Sequence, residues 1–286
     1  ILQAPPGAGK STVVPLALLD ESWLDDKMII MLEPRRVAAR MVANQMAKSL
    51  GEEVGQSVGY QVKMDSAYSA KTKLLVVTEA ILVRKLQANQ TLDNVAMVIF
   101  DEFHERSIHT DLSLALCLQV QEFLRDDLKL LIMSATLNSD EISKLLENVP
   151  IITSKGKTYE VQNVYLDIKT RQPDVKSLNN LLLSTILKAI KEDEGDILVF
   201  LAGVKEIKKL QTALINSSLS VETLVLPLYS ALSKKEQDRA IAKSQSRKII
   251  LSTNIAQTSL TIEGVKVVVD SGLEKLSRFN YANAMD

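Results

Sequence analysis

Short, nearly unbroken apolar runs alternate with stretches of helical periodicity along most of the chain. Residues 28–32, 74–78, 95–100 and 130–134 are continuous rather than alternating runs, which is how strands buried on both faces of a parallel sheet read. Between them, Val37, Met41, Val42, Met46 and Leu50 recur on one face of a helix over 37–50, and Gly51 supplies its C-terminal stop. Residues 79–88 and 112–125 predict two more helices, and 11–19 a first one. This strand-helix alternation predicts an α/β fold, with mainly parallel sheets covered by helices on both faces.

The rhythm breaks between residues 148 and 174, where Pro150, Gly156 and Pro173 interrupt scattered polar residues. A domain boundary is expected near Ser154, giving domains 1–154 and 155–286, the second opening on a strand at 161–166. Alternation then resumes, with strands predicted at 197–200, 225–228, 249–251 and 265–270 and helices at 178–192, 204–216 and 233–243.

At roughly 150 residues per domain, the 286 residues suffice for two full cores. Lys and Arg number 34 against 35 for Asp and Glu, a net charge of -1, so any polyanion site must be local. The single cysteine, Cys117, sits in an apolar helical run and reads as a small buried hydrophobe. Apolar runs fall far short of the roughly 20 residues that span a bilayer, so a soluble cytoplasmic protein without membrane partners is expected. Ile1 and Leu2 read as the tail of a strand that begins upstream, which makes the lack of a signal peptide uninformative.

Chemistry concentrates in two places. Residues 4–11, APPGAGKS, follow an apolar strand and precede a helix. In such a loop small residues let backbone N–H groups converge on phosphates, a Lys adds a cation at the β- and γ-phosphates, and a Ser hydroxyl ligates magnesium. Lys10 and Ser11 fit those roles, whereas Ala4 stands where the first glycine is usual. Taken alone, the octapeptide is compatible with an ordinary Gly/Pro turn. The second place is the end of the 95–100 strand, where Asp101 and Glu102 follow at the carboxyl edge that binds ligands in open α/β sheets. Asp101 is placed to hold magnesium. Glu102, expected to point the other way along the strand, could take a proton from an attacking water. Acids capping the next helix would look the same.

APPGAGKS (4–11), PRRVAA (34–39), TE (78–79), DEFHERS (101–107), SAT (134–136) and STNIAQTSLTI (252–262) occur in this order. Together they resemble the DEAH-type helicases of superfamily 2, over nearly the whole chain. APPGAGKS and Phe103, where most members have Ala, narrow the resemblance to one bacterial branch. It implies two tandem RecA-like P-loop domains that sandwich ATP, with ATP as substrate and Mg2+ as cofactor, and single-stranded RNA or DNA as partner. Ala4, Gly7, Ala8, Gly9, Lys10, Ser11 and Thr12 would bind the nucleotide, and Ser11 and Asp101 the metal, partly through water. Asp101, Glu102 and His104 would form the catalytic set, with Glu102 as general base and His104 coupling hydrolysis to the second domain. Ser134 and Thr136 match the family's coupling motif, although hydroxyls at a strand end can simply satisfy backbone groups. Arg35, Arg36, Thr78, Thr253 and Asn254 match positions that touch the strand backbone, contacts that carry no sequence information.

Arg35 and Arg36 also carry a physical hint. Cations in a helix's first turn oppose its macrodipole, so an anion is expected beside them, either a nucleic-acid phosphate or a neighbouring carboxylate such as Glu33. Gln45 and Leu273 stand where relatives stack Arg and Phe on adenine, so weak base selectivity is expected. Gln257 replaces the usual Glu of its motif. The arginine-finger motif that follows in the family is expected past Asp286, and the chain alone is therefore expected to hydrolyse ATP poorly. A nucleotide-gated scaffold that binds RNA or a partner without unwinding would have no need of a catalytic base, which favours the motor. A metabolic P-loop kinase or a GTPase-like switch is disfavoured by the second α/β domain.

Overall fold

A computed structural model describes residues 1–135, 139–156, 160–165, 177–217, 219, 222–257 and 262–275. The chain divides into two compact units, Ile1–Val161 and Gln162–Asp286.

In the first unit the described strands are β1 (Leu2–Gln3), β2 (Met28–Leu32), β3 (Val58–Val62), β4 (Asp65–Ala67), β5 (Leu74–Val77), β6 (Val95–Phe100), β7 (Lys129–Ser134) and β8 (Ile152–Thr153). They form one sheet in the order β4-β3-β5-β2-β6-β7-β1-β8. Every pairing is parallel except the β3–β4 hairpin. The helices are α1 (Val13–Ala17), α2 (Arg36–Ser49), α3 (Glu79–Ala88), α4 (Ile108–Phe123) and α5 (Ser139–Leu145).

The unbroken apolar runs make sense once both faces are seen. Ile30, Leu32, Val98 and Phe100 pack with Leu82 of α3 and with Leu114 and Cys117 of α4. Their strand neighbours Ile29, Met31 and Ile99 face the other way, against Ala43 and Met46 of α2. A strand covered on both sides has no polar face to display, and each large apolar side chain withdrawn from water contributes about 1.5–3 kcal/mol.

Several expectations need correction. The helix expected over 11–19 is reduced to α1 and a 3-10 turn, Leu18–Asp20. The helix expected from 112 begins at Ile108, because the Ser107 side chain caps it by accepting from the Thr110 N–H. The β3–β4 hairpin was not anticipated, although all of β3 but Gln61 is buried and Met64 takes a positive φ of 64° in its turn. The strand expected over 161–166 is not formed at 160–165, where Val161, Val164 and Tyr165 are exposed and, among the described residues, no strand pairs with them. Leu166 lies outside the described residues. Among the described residues no helix is long and apolar enough to cross a membrane.

The second unit holds β9 (Asp196–Phe200), β10 (Leu224–Leu228), β11 (Lys248–Ser252) and β12 (Val265–Asp270), all parallel, in the order β10-β11-β9-β12. Helices α6 (Leu178–Glu192) and α7 (Val204–Ile215) cover one core through Leu182, Ile186, Ile207 and Leu210, while α8 (Lys234–Ile241) lies against β10. Two cations fix the start of β11. Arg247 donates to the carbonyls of Ile190 at 2.7 Å and Asp193 at 2.8 Å, closing the end of α6. Lys248, fully buried, donates to the Ala242 carbonyl at 2.8 Å just past α8. Both answer carbonyls that a helix end leaves unpaired.

Candidate functional site

The site is built at the carboxyl edge of the first sheet. β1 lies between β7 and β8, with Gln3 level with Ser134, and the Ala4 N–H donates to the Ser134 carbonyl at 3.2 Å. β7 in turn flanks β6, so the loop leaving β1 and the acids leaving β6 emerge on the same edge, two strands apart. Adjacent strands are about 4.8 Å apart, so the two exits lie roughly 10 Å apart, a gap that side chains reaching from both sides close.

Gly7 and Gly9 have φ of +78° and +85°, backbone that L side chains rarely adopt. At Gly9 a Cβ would also meet Val13 Cγ2 at 2.9 Å. The Gly9 carbonyl accepts from Val13 N at 2.7 Å, turning the loop directly into α1. Ala4 is buried beside the sheet, Ala8 donates its N–H to the Pro5 carbonyl at 3.3 Å, and Thr12 is the residue preceding α1. Gly156, which in the sequence marks only a break in the strand-helix rhythm, lies against this loop: a Cβ there would sit 2.5 Å from Pro5 Cγ.

Lys10 is buried and its Nζ lies 3.7 Å from Glu102 Oε1. The Ser11 hydroxyl lies beside the Asp101 carboxyl and favours its charged form. The two clusters therefore converge. Glu102 departs from expectation, however: the strand ends at Phe100, and Glu102 adopts left-handed backbone, φ 48° and ψ 36°. Alternation no longer applies there, so its carboxylate joins Asp101 on the side of the phosphate loop rather than pointing opposite to it along the strand. Its N–H donates to Asp101 Oδ1 at 2.9 Å. Neither acid caps the following helix, a role taken by Ser107.

Burial, with the Glu102 carboxylate beside it, pushes the Asp101 carboxyl up to about 6. Burial likewise raises Glu102, opposed by Lys10. Asp101 Oδ2 and Glu102 Oε2 are buried without a hydrogen-bond partner. Unsatisfied anionic oxygens beside a serine hydroxyl suit a hard cation that prefers oxygen ligands. Among the described residues no group of three or more His, Cys, Asp or Glu gathers as an all-protein metal cage. Ser11 and Asp101 thus fit magnesium held largely by water and phosphate oxygens.

His104 bridges to the next strand. Its Nδ1 accepts from the Ala135 N–H at 3.4 Å and lies 3.4 Å from Glu102 Oε2. Burial lowers its pKa, so the ring is neutral at pH 7. Beneath it Phe103 is buried edge-on to Phe100, 6.3 Å between ring centroids.

The remaining predicted residues are placed as follows. Arg35 precedes α2 in extended backbone rather than in its first turn, and it finds its anion within the protein, pairing with Glu105 at 3.1 Å. Arg36 is exposed. Thr78 precedes α3 and is buried, and Ser134 is buried at the end of β7. In the second unit Thr253 is half-buried and the Asn254 side chain donates to Glu274 at 3.0 Å. Gln45, Gln257 and Leu273 are exposed. Thr136 lies outside the described residues. Glu105 was not anticipated as a partner of Arg35; its place in the same run as Asp101 was the available signal.

Comparison with known proteins agrees with this geometry. Residues 1–145 match the DEAD/DEAH box helicase family, and residues 176–285 match the helicase conserved C-terminal domain. The chain is 45% identical to ATP-dependent RNA helicase HrpB of Escherichia coli over 98% of its own length and 34% of that protein. It is 37% identical to the pre-mRNA-splicing factor ATP-dependent RNA helicase prp22 of Schizosaccharomyces pombe, covering 25% of it. The crystal structure of Escherichia coli HrpB superimposes with a TM-score of 0.87 at 43% identity, over 99% of this chain and 36% of that one. The chain thus spans about a third or less of these relatives. With the phosphate loop and the paired acids brought together on one sheet edge and both domain matches in order, the chain belongs to the DEAD/DEAH box helicase family.

Proposed function

We propose that this chain is the nucleoside-triphosphatase motor of an RNA helicase, coupling Mg-ATP hydrolysis to movement along a single strand. The observation that carries this reading is the convergence of Lys10 and Ser11 on Glu102 and Asp101. The names of the relatives support RNA as the strand.

In this reading Gly7, Gly9, Lys10, Ser11 and Thr12 hold the triphosphate, and the Lys10 ammonium neutralises charge at its far end. Magnesium bound there neutralises charge developing on the phosphate oxygens. Asp101 and Ser11 hold that ion. Glu102 takes the proton of the attacking water, which its raised pKa favours because a base is most effective when its pKa approaches the working pH. His104, neutral and hydrogen-bonded to Ala135, links the base to the end of β7. Arg36, Arg35, Thr78, Thr253 and Asn254 contact the strand backbone, and sequence-independent binding follows from such contacts.

The test is phosphate release by the full-length protein with and without single-stranded RNA or DNA, beside Glu102→Gln. Loss of a general base costs about 10²–10⁴-fold. Hydrolysis stimulated by RNA and abolished by Glu102→Gln is expected. An unstimulated protein, or one whose hydrolysis survives that substitution, would instead be a nucleotide-gated scaffold or use another base.

A further inference from the structure

One residue of the family motifs has no role in the reading above. Glu79 follows Thr78 and opens α3. An acid at a helix start is favourable without any partner, yet this one is engaged. Its Oε1 accepts from Ser107 Oγ at 2.7 Å and from Thr110 Oγ1 at 2.5 Å. The same Ser107 Oγ accepts from the Thr110 N–H at 3.0 Å and caps α4. Hydrogen bonds to an ionised carboxylate are the stronger kind, and Thr110 is buried, so water competes little for them.

Ser107 ends the turn that begins at Asp101. The Arg106 guanidinium lies 5.3 Å over the Phe103 ring of that turn and pairs with Asp111 of α4 at 2.9 Å. The middle of the turn is tied to the start of α2 through Glu105 and Arg35. A displacement of the first turn of α3 must therefore pull on the turn that carries Glu102 and His104. We infer that Glu79 is a positioning residue, whose grip on Ser107 and Thr110 transmits nucleic-acid engagement at Thr78 to the hydrolytic turn. The inference rests on the motor reading and specifies how its two sites communicate.

The experiment uses the full-length protein and compares Glu79→Ala, Glu79→Gln and Thr110→Val with the parent. Basal ATPase, ATPase at saturating poly(U), poly(U) affinity by fluorescence anisotropy and melting temperature are measured for each. Allosteric couplings commonly amount to factors of about 5–150. In Glu79→Ala the stimulation factor should fall about 5-fold or more, with basal rate and poly(U) affinity retained. Gln keeps a carbonyl acceptor and should restore most of the stimulation. Thr110→Val, which leaves the Ser107 cap intact, should give an intermediate loss, and it decides the matter if Glu79→Ala does not fold. Undiminished stimulation in Glu79→Ala or Thr110→Val overturns the inference, as does a proportional fall in basal and stimulated rates. A parent protein that poly(U) fails to stimulate defeats the motor reading itself, and that arm is read separately from the variants.

Discussion

The ammonium of Lys10 lies 3.7 Å from Oε1 of Glu102, and both side chains are almost fully withdrawn from solvent. One member is proposed to grip phosphate and the other to deprotonate water, so each holds the other's charge in place. Removing one partner of a buried pair commonly costs about 3–5 kcal/mol because the survivor stays charged and alone. Glu102 can escape that penalty. Its pKa is already raised by burial and is held down by Lys10, so Lys10→Met should raise it further and leave the carboxyl neutral. A group with a raised folded pKa favours the fold below its unfolded pKa and loses that contribution as pH rises through the folded one. Lys10→Met should therefore be nearly as stable as the parent at pH 5 and fall progressively behind toward pH 8. Urea midpoints across that range check this, and a pH-independent difference would contradict it.

Asp101 gives a second pH dependence, of opposite sense for ligand binding. Its carboxyl is raised from 3.8 to about 6, chiefly by burial and then by Glu102. A metal needs the carboxylate, so protons compete with it. Below about pH 6, magnesium-dependent nucleotide affinity should drop roughly tenfold per pH unit. For the ligand-free protein the sign reverses: the neutral carboxyl suits the buried site, and stability declines as pH climbs through about 6. Mg-ATP should thus raise the melting temperature more at pH 7.5 than at pH 5. Asp101→Asn should flatten that contrast, and thermal shifts at the two pH values read it directly.

The parts of this molecule that were legible in the sequence are those whose chemistry is local. The 95–100 run has no polar side because β6 is covered on both faces, and the phosphate loop needs small residues at fixed offsets. Both signals lie within a few consecutive residues. What escaped detection joins distant segments: Glu105 with Arg35, Glu79 with Ser107 and Thr110, Gly156 with Pro5. Nothing in the composition of either segment announces such a pair. The orientation of Glu102 was missed for a different reason. Period-two alternation holds only while the strand continues, and a left-handed residue immediately after Phe100 resets it. The β3–β4 hairpin was obscured by its turn, where Lys63 and Met64 lack the Gly or Asn that usually marks one.

Phe103 offers a test of packing beneath the turn that carries Glu102. The ring is 2% exposed, edge-on to Phe100 and covered by Arg106. Phe-to-Ala truncations in cores cost about 3–5 kcal/mol. The family resemblance implies Ala at this position in most relatives, so the turn itself tolerates the smaller residue. Phe103→Ala should lower the urea unfolding free energy by about 3 kcal/mol while leaving the protein folded and able to bind nucleotide. A change within a few tenths of a kcal/mol would mean that neighbouring side chains close the space.

Gly156 is the sharper probe of the phosphate loop, because it acts from a segment that carries no nucleotide-binding motif. Its φ is +56°, and a Cβ would lie 2.5 Å from Pro5 Cγ, 3.2 Å from Pro5 Cδ and 3.4 Å from Ala8 Cβ. The proline ring cannot rotate aside, so either residue 156 or the loop itself must shift. Strain of this kind costs about 1–3 kcal/mol, and part of it should appear as a displaced loop. Gly156→Ala should therefore weaken nucleotide binding by about tenfold. Gly51→Ala is the control: it meets the same backbone objection at φ +72°, but nothing lies within 4 Å of its Cβ, at the end of α2. It should lose stability and keep its nucleotide affinity. Titration of both variants with a fluorescent ATP analogue separates the cases, and equal affinities would show that the segment after β8 leaves the phosphate loop undisturbed.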